Sequence, residues 1–347
     1  MPPGERLSIL HVDLSKHFGG TERYCLDLAG RQLAQGHRVS VVAWRAPGSR
    51  NAIQHHAPPG IEIFEAPPVF ASWTVRKAAR AMGAHIINAH LPDSARAVAA
   101  ARLAIPAVLT MHLRYRKAET RGMAGLVFVA HWQEREAADF PGLTVTAHNW
   151  PPEAPAADPA RVAAARAEIG AAPATFLVGF IARLNRIKRA ELLIDGFRRA
   201  GLTNARLALI GDGSEEAALK ARTGGDPAIH FLGHRRDVET WHRAIDLFVL
   251  PSDWEGLPLG VLEAMQAGTP ILATASQGTV EVLQGTDATL IPCGEADALA
   301  TALVELEARF RTGTLPRQAY DLSDFTPEKA LARIDGFYRS VIAAHTR

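Results

Sequence analysis

Two carboxylates stand eight residues apart in the chemically densest stretch of the chain, Pro251-Ser252-Asp253-Trp254-Glu255-Gly256-Leu257-Pro258-Leu259-Gly260-Val261-Leu262-Glu263-Ala264-Met265. A strand is expected over 247–250, Pro258 suits a first helical turn, and Gly268 suits the helix stop. On that reading Glu255 lies at the mouth of a helix and Glu263 about two turns inside it. Outward amides of Leu259 and Gly260 at the helix start make an anion site. A carboxylate on the same helix can accept hydrogen bonds from a ribose diol, and one at the mouth can accept them from sugar hydroxyls. Glu255 also suits an ordinary helix start, whereas Glu263 sits among apolar neighbours and needs partners. Arg183 and Lys188 follow a strand over 176–181. A planar fork and a point charge together suit a diphosphate, although Arg186 and Arg189 also fit a solvated basic loop. Gly211-Asp212-Gly213-Ser214 follows the next strand, with Ser214 as a candidate helix cap and glycines that permit close backbone approach. Asp253-x-Glu255 resembles an acidic metal pair, but no Asp-x-Asp triplet and no histidine cluster at ligand spacing accompanies it, so no metal is assigned.

These residues sit at strand ends, and the strands follow a pattern. Short apolar runs fall at 7–12, 38–42, 61–65, 84–89, 107–110, 126–129 and 143–146, then at 176–181, 206–210, 229–232, 247–250, 270–273 and 289–291. Helical patterns separate many of them, including 21–35, 94–103, 190–199, 215–222, 238–244 and 259–267. Four prolines within 151–159 interrupt the series as a linker. Two βαβ series predict an α/β protein of two Rossmann-like doubly wound domains facing across a cleft. The expected domains are 1–150 and 160–326, and the helix expected from residue 327 onward closes the chain. In such sheets ligands lie beyond the carboxyl ends of the strands.

Composition bounds the class. The chain has 347 residues, 48% hydrophobic and 21% charged, which excludes a disordered or disulfide-scaffold protein. Cys25 and Cys293 are the only cysteines, consistent with reduced thiols and a cytoplasmic setting. The first six residues show no secretion signal, and no apolar run approaches a membrane span. The net charge of +2 conceals an asymmetry: residues 1–150 carry 17 basic and 11 acidic side chains, residues 151–347 carry 21 and 25. Much of the first surplus lies in two segments. One holds Arg76, Lys77 and Arg80 on an expected helix after Trp73. The other holds Arg114, Arg116 and Lys117 beside Tyr115 and runs on to Arg121. Such segments fit an acceptor side or an anionic membrane surface, or plain solvated surface. No nucleic-acid recognition motif appears.

Taken together the motifs resemble the retaining glycosyltransferases of family 4, which have the GT-B fold. The resemblance rests on Gly19-Gly20-Thr21-Glu22 after the first strand, Arg183 with Lys188, Gly211-Asp212-Gly213, Glu255-x7-Glu263-Ala264-Met265, Gly268-Thr269-Pro270 and Gly278-x-x-Glu281. It implies transfer of a sugar from a nucleotide-diphosphate sugar (UDP, GDP or ADP) to a saccharide or lipid-linked acceptor. It implies no obligatory metal or cofactor, and a place in bacterial surface-glycan synthesis. Arg183 and Lys188 would clamp the diphosphate, Glu263 would bind ribose, and Glu255 would bind sugar hydroxyls. Gly19, Gly20 and Gly211 would lie near the phosphates. Phe231-Leu232-Gly233 would line the base pocket, and the C-terminal helix would cross to the first domain. The context Val108-Leu109-Thr110-Met111-His112 is similar to the family's strand ending in a histidine near the donor sugar, which singles out His112 over His90, His131 and His148. Ala182, Gln277 and Pro258 depart from the family's frequent glycines. Competing readings are a GT-B-like epimerase or hydrolase, and a non-catalytic sugar-nucleotide-binding module.

Overall fold

The computed structural model describes residues 5–15, 18–45, 53–67 and 69–346. The opening residues 1–4, part of the segment read above for a signal, lie outside them. Among the described residues thirteen strands form two parallel sheets. The first contains β1 (Ser8–Asp13), β2 (Arg38–Trp44), β3 (Glu62–Ala66), β4 (Ile86–His90), β5 (Ala107–Met111), β6 (Gly125–Phe128) and β7 (Leu143–Thr146) in the order β3-β2-β1-β4-β5-β6-β7. The second contains β8 (Phe176–Ile181), β9 (Ala205–Ile210), β10 (Ile229–Gly233), β11 (Leu247–Leu250), β12 (Ile271–Thr274) and β13 (Thr289–Ile291) in the order β10-β9-β8-β11-β12-β13. The central strands are buried throughout, save the half-buried Ser8 at the start of β1, as short apolar runs covered by helices on both faces must be.

The chain divides into two compact units: residues 1–149 with 326–347, and residues 150–325. The C-terminal helix Pro327–His345 therefore belongs to the first unit. It is capped by Thr326 and buries Leu331, Ile334, Phe337, Tyr338 and Val341. Arg333 donates to the Thr146 carbonyl at the end of β7, and Asn88 in β4 donates to the Tyr338 hydroxyl at 2.7 Å. The proline-rich stretch belongs to the second unit, where Arg243 donates to the Pro155 carbonyl. Pro159 is not the last linker residue but the first of a helix, capped by Asp158.

Each sheet reverses its winding once, between β1 and β4 in the first unit and between β8 and β11 in the second. Neighbouring crossovers diverge there, so strand ends at those points are open to ligands. In the second unit the loops leaving the switch are 182–189 and 251–258, which hold three of the four residues expected to be catalytic. In the first unit the strands at the switch end in Asp13 and His90, paired in register.

Candidate donor site and a buried histidine chain

The second unit brings its predicted residues together. Lys188 Nζ donates to Glu255 Oε1 at 2.6 Å across 67 residues of sequence. Glu255 is 6% exposed. Asn185 accepts from the Lys188 amide and shapes the short turn Arg186–Lys188. Asp253 locks the same two loops: its amide donates to the Ile187 carbonyl, and its carboxylate accepts from Arg189 at 2.7 Å. Both acids of the Asp253-x-Glu255 pair are thus engaged by cations of this unit. Lys188 retains two N–H groups beyond its bond to Glu255. Arg183 is exposed at the end of β8.

The glycines have a specific task. A Cβ on Gly211 would lie 2.0 Å from the Ala182 carbonyl, and one on Gly213 would lie 2.2 Å from the Leu184 carbonyl. Both positions therefore serve close packing of two loops: the main chain that Gly211 approaches is that of the Arg183 loop. Leu184 N–H donates to the Asp212 carbonyl there. Ser214 does not cap the following helix, which spans Glu216–Thr223 and is preceded by Glu215 without a side-chain cap. Gly278 plays the same part for the acidic loop. Its Cβ would lie 2.1 Å from the Gly256 carbonyl and 2.8 Å from that of Glu255.

The helix Leu259–Gln266 begins one residue after Pro258, which stands outside it rather than in its first turn. No side chain caps its start. Gly260 brings that start against the end of β8, where an added Cβ would lie 3.3 Å from the Ile181 carbonyl. Glu263 is half-buried, with Val261, Leu262, Ala264 and Met265 buried around it and His242 Nε2 at 3.6 Å. Phe231 and Leu232 lie half-buried on the edge strand β10, with Lys220 Nζ 5.7 Å from the centre of the Phe231 ring.

In the first unit, Gly19 in extended conformation precedes the helix Gly20–Ala34. His112, directly after β5, is half-buried. Its Nε2 lies 3.2 Å from His90 Nδ1, His90 Nε2 lies 3.0 Å from His11 Nδ1, and His11 Nε2 lies 2.7 Å from Gln32 Oε1. Sequence reasoning missed His11, Gln32 and the involvement of Cys25. No spacing pattern announces a histidine cluster, yet the fold gathers one: single ligand atoms of His11, Cys25 and His90 lie within 4.8 Å of one another. A signal was present in the strands. His11-x-Asp13, Asn88-x-His90 and Thr110-x-His112 each interrupt an apolar run at period two. That alternation puts one polar face on β1, β4 and β5.

Burial is the main influence on all three rings. It pushes His11 down to about 4 against the opposing bond to Gln32, and His112 down to about 3. His90 falls well below the ordinary histidine value through burial and then its two histidine neighbours. The unfolded chain therefore takes up protons that the folded chain refuses as pH drops below 6.5, and stability falls across the window from 6.5 to about 4. For His11 alone the loss amounts to about 3 kcal/mol by pH 4. The urea midpoint of the first unit should fall between pH 7 and pH 5, with a shallower dependence in His11→Gln. Equal slopes in the two proteins would refute the assignment.

The expected basic face on the acceptor side is largely taken up by internal pairing. Arg76 is half-buried and donates twice to the Ala101 carbonyl, closing the end of the helix Leu91–Ala101. Arg114 pairs with Glu136 at 2.6 Å, Arg116 with Glu119 at 3.7 Å, and Lys117 with Asp139 at 2.9 Å. Lys77 and Arg80 remain exposed on the helix Ala71–Met82, Lys77 lying over the ring of Trp73. Phe70 and Trp73 at the start of that helix are 60% and 61% exposed. Among the described residues no helix is long and apolar enough to cross a membrane.

Two units, each built on a parallel sheet with one switch point, match the two-domain α/β architecture of GT-B glycosyltransferases. Residues 175–309 match the family described as Glycosyl transferases group 1, and residues 18–150 match Glycosyltransferase Family 4. The chain belongs to the family 4-type glycosyltransferases of the GT-B fold. It is 33% identical over 134 residues to the lipopolysaccharide core biosynthesis mannosyltransferase LpsB of Rhizobium meliloti strain 1021, covering 35% of this chain and 37% of that protein. It is 36% identical over 110 residues to the O-antigen biosynthesis glycosyltransferase WbnH of Escherichia coli, covering 32% of each. The matches span about a third of the length of these relatives. The crystal structure of Anabaena HepE in complex with UDP and glucose shares the fold, with a TM-score of 0.81 and 22% identity over 96% of this chain and 100% of that one.

Proposed function

We infer that the protein transfers a hexosyl unit from a nucleotide-diphosphate sugar to a saccharide or lipid-linked saccharide, with retention, in bacterial surface-glycan synthesis. The observation that carries this reading is the Lys188–Glu255 pair beside the exposed Arg183 at the switch point of the second sheet. Departure of the nucleoside diphosphate builds negative charge. Arg183, the remaining N–H groups of Lys188 and the amides of Leu259 and Gly260 stabilise it without reorganising. Glu255, oriented by Lys188, accepts from donor-sugar hydroxyls, and Glu263 accepts from the ribose. Phe231 and Leu232 line the base pocket, and the main chain at Gly19, Gly20 and Gly211 borders the phosphates. His112 meets the donor sugar. The acceptor hydroxyl attacks from the leaving-group face, and the departing phosphate takes its proton. No metal or cofactor enters this scheme. LpsB is named for mannosyl transfer and HepE is solved with UDP and glucose, which supports a hexosyl unit and a nucleoside-diphosphate donor.

Thermal unfolding with UDP, GDP and ADP and their sugars tests the donor. One base should raise the transition, by about 2.7 kcal/mol of stabilisation at a hundredfold excess over its Kd. No shift with any of the three defeats the donor-binding reading.

The same reading places the protein in the cytoplasm, at the inner face of the membrane. There Phe70 and Trp73 enter the headgroup layer and Lys77 and Arg80 meet anionic lipid. Vesicles rich in phosphatidylglycerol should then retain more protein than phosphatidylcholine vesicles, and less in 0.5 M salt. Equal recovery removes the membrane contact.

A further inference from the structure

Two buried histidines stand behind His112 with no part in the scheme above. His11 in β1, His90 at the end of β4 and His112 after β5 lie on three neighbouring strands, and their rings form an unbroken hydrogen-bonded row ending on Gln32. A neutral imidazole carries one N–H, so every contact in such a row passes a hydrogen in the same sense. Gln32 Oε1 accepts from His11 Nε2. His11 Nδ1 is then bare and accepts from His90 Nε2, and His90 Nδ1 is bare and accepts from His112 Nε2. The last ring is left with its hydrogen directed inward and its Nδ1 lone pair unused by the row.

The sense of the row depends on which end of the Gln32 amide meets His11, and a second network addresses that. Thr110 donates to Asn88 Oδ1, so Asn88 donates through Nδ2 to the Tyr338 hydroxyl. Gln32 also meets that hydroxyl and acts to lower the phenol's pKa, as a donor to its oxygen does, so its NH₂ end lies there and Oε1 is left for His11. The row is thereby tied at its far end to the C-terminal helix. At its near end, Leu91 directly after His90 has φ +68°, a left-handed backbone that a bulky residue keeps only where its surroundings impose it.

We propose that Gln32, His11 and His90 are positioning residues that fix His112 as the Nε2–H tautomer, so that it meets a substrate hydroxyl as a hydrogen-bond acceptor through Nδ1. This rests on the assignment of His112 to the donor sugar. A side chain whose orientation and proton are set by a partner works through that partner, much as a metal-bound histidine works through its outer hydrogen bond.

Imidazole ¹⁵N NMR of the full chain at pH 7.5, with metal content measured on the same sample, reads the row directly. His112 should be protonated at Nε2 and bare at Nδ1. In His90→Leu, which removes the acceptor, kcat should fall roughly 10–100-fold while KM for the donor stays within about twofold. His90→Gln, whose Oε1 again accepts from His112, should recover most of kcat. An Nδ1-protonated His112 overturns the proposal. So does a metal ion held stoichiometrically on His11, Cys25 and His90, because it would reverse the sense of the row. Full kcat in His90→Leu beside an inactive His112→Ala overturns the relay while leaving the role of His112 standing. Full kcat in His112→Ala removes that role, and with it the catalytic consequence of the relay, whatever the tautomer measured.

Discussion

Arg183→Ala should lower sugar transfer by roughly 10²–10³-fold, the loss that follows removal of one well-placed donor to a developing anion. That corresponds to about 3–4 kcal/mol of transition-state stabilisation. The thermal transition should hardly move, because Arg183 is exposed at a strand end and its removal opens no cavity. The effect should appear in kcat more than in donor KM, since the charge it meets is greatest as the diphosphate leaves. Arg186→Ala is the control, an exposed cation three residues along the same loop with no assigned task. Equal losses in the two variants would mean that only bulk charge matters, and retained turnover in Arg183→Ala would sink the assignment.

Gly278→Ala should damage both stability and transfer, although it adds a single methyl. The added carbon would sit 2.1 Å from the Gly256 carbonyl and 2.8 Å from that of Glu255. Both neighbours are main chain, so no side chain can swing aside, and either the helix Gln277–Leu283 or the acidic loop must move. The cost should reach about 3 kcal/mol, the upper end for overpacking. Displacement of the loop also lengthens the 2.6 Å contact between Lys188 and Glu255. The unfolding midpoint and the donor KM should therefore worsen together. Gly336→Ala provides the contrast. This glycine lies inside the helix Pro327–His345 with open space around it and an ordinary φ, so alanine there should stabilise by about 0.5–1 kcal/mol. A neutral Gly278→Ala would show that the two loops are not wedged together as described.

The two-domain α/β architecture was legible because buried parallel strands carry their own signature. The runs at 143–146, 176–181, 247–250 and 289–291 coincide with β7, β8, β11 and β13. The helix Ala296–Arg311 does not stand out in the sequence. Leu299, Leu303 and Leu306 do follow the helical period, but alanines dilute the contrast between its faces. Within the candidate site, residue types at strand ends pointed to Lys188 and Glu255, and the fold joins them. What stayed hidden was partnership across elements. Nothing local says that Arg114 and Lys117 will meet Glu136 and Asp139 on a later segment, or that Arg76 will close a neighbouring helix. The net surplus of positive charge survives this pairing, because each ion pair removes one charge of either sign; what the pairing takes up is most of the expected basic face. The histidine row was hidden for the same reason: its members come from four elements, and only the period-two polar positions in three strands hint at a shared face.

The division of the chain also sets an order of assembly during synthesis. The second unit is continuous from residue 150 to 325 and is complete once that stretch has left the ribosome. The first unit begins earlier and finishes later, because it waits for the helix Pro327–His345. Until Tyr338 arrives, Asn88 and Gln32 lack the hydroxyl that both of them hold in the finished protein. The nascent first unit thus carries an open apolar groove and an unanchored polar network while the whole second unit is being made. The half that starts first is the half that closes last.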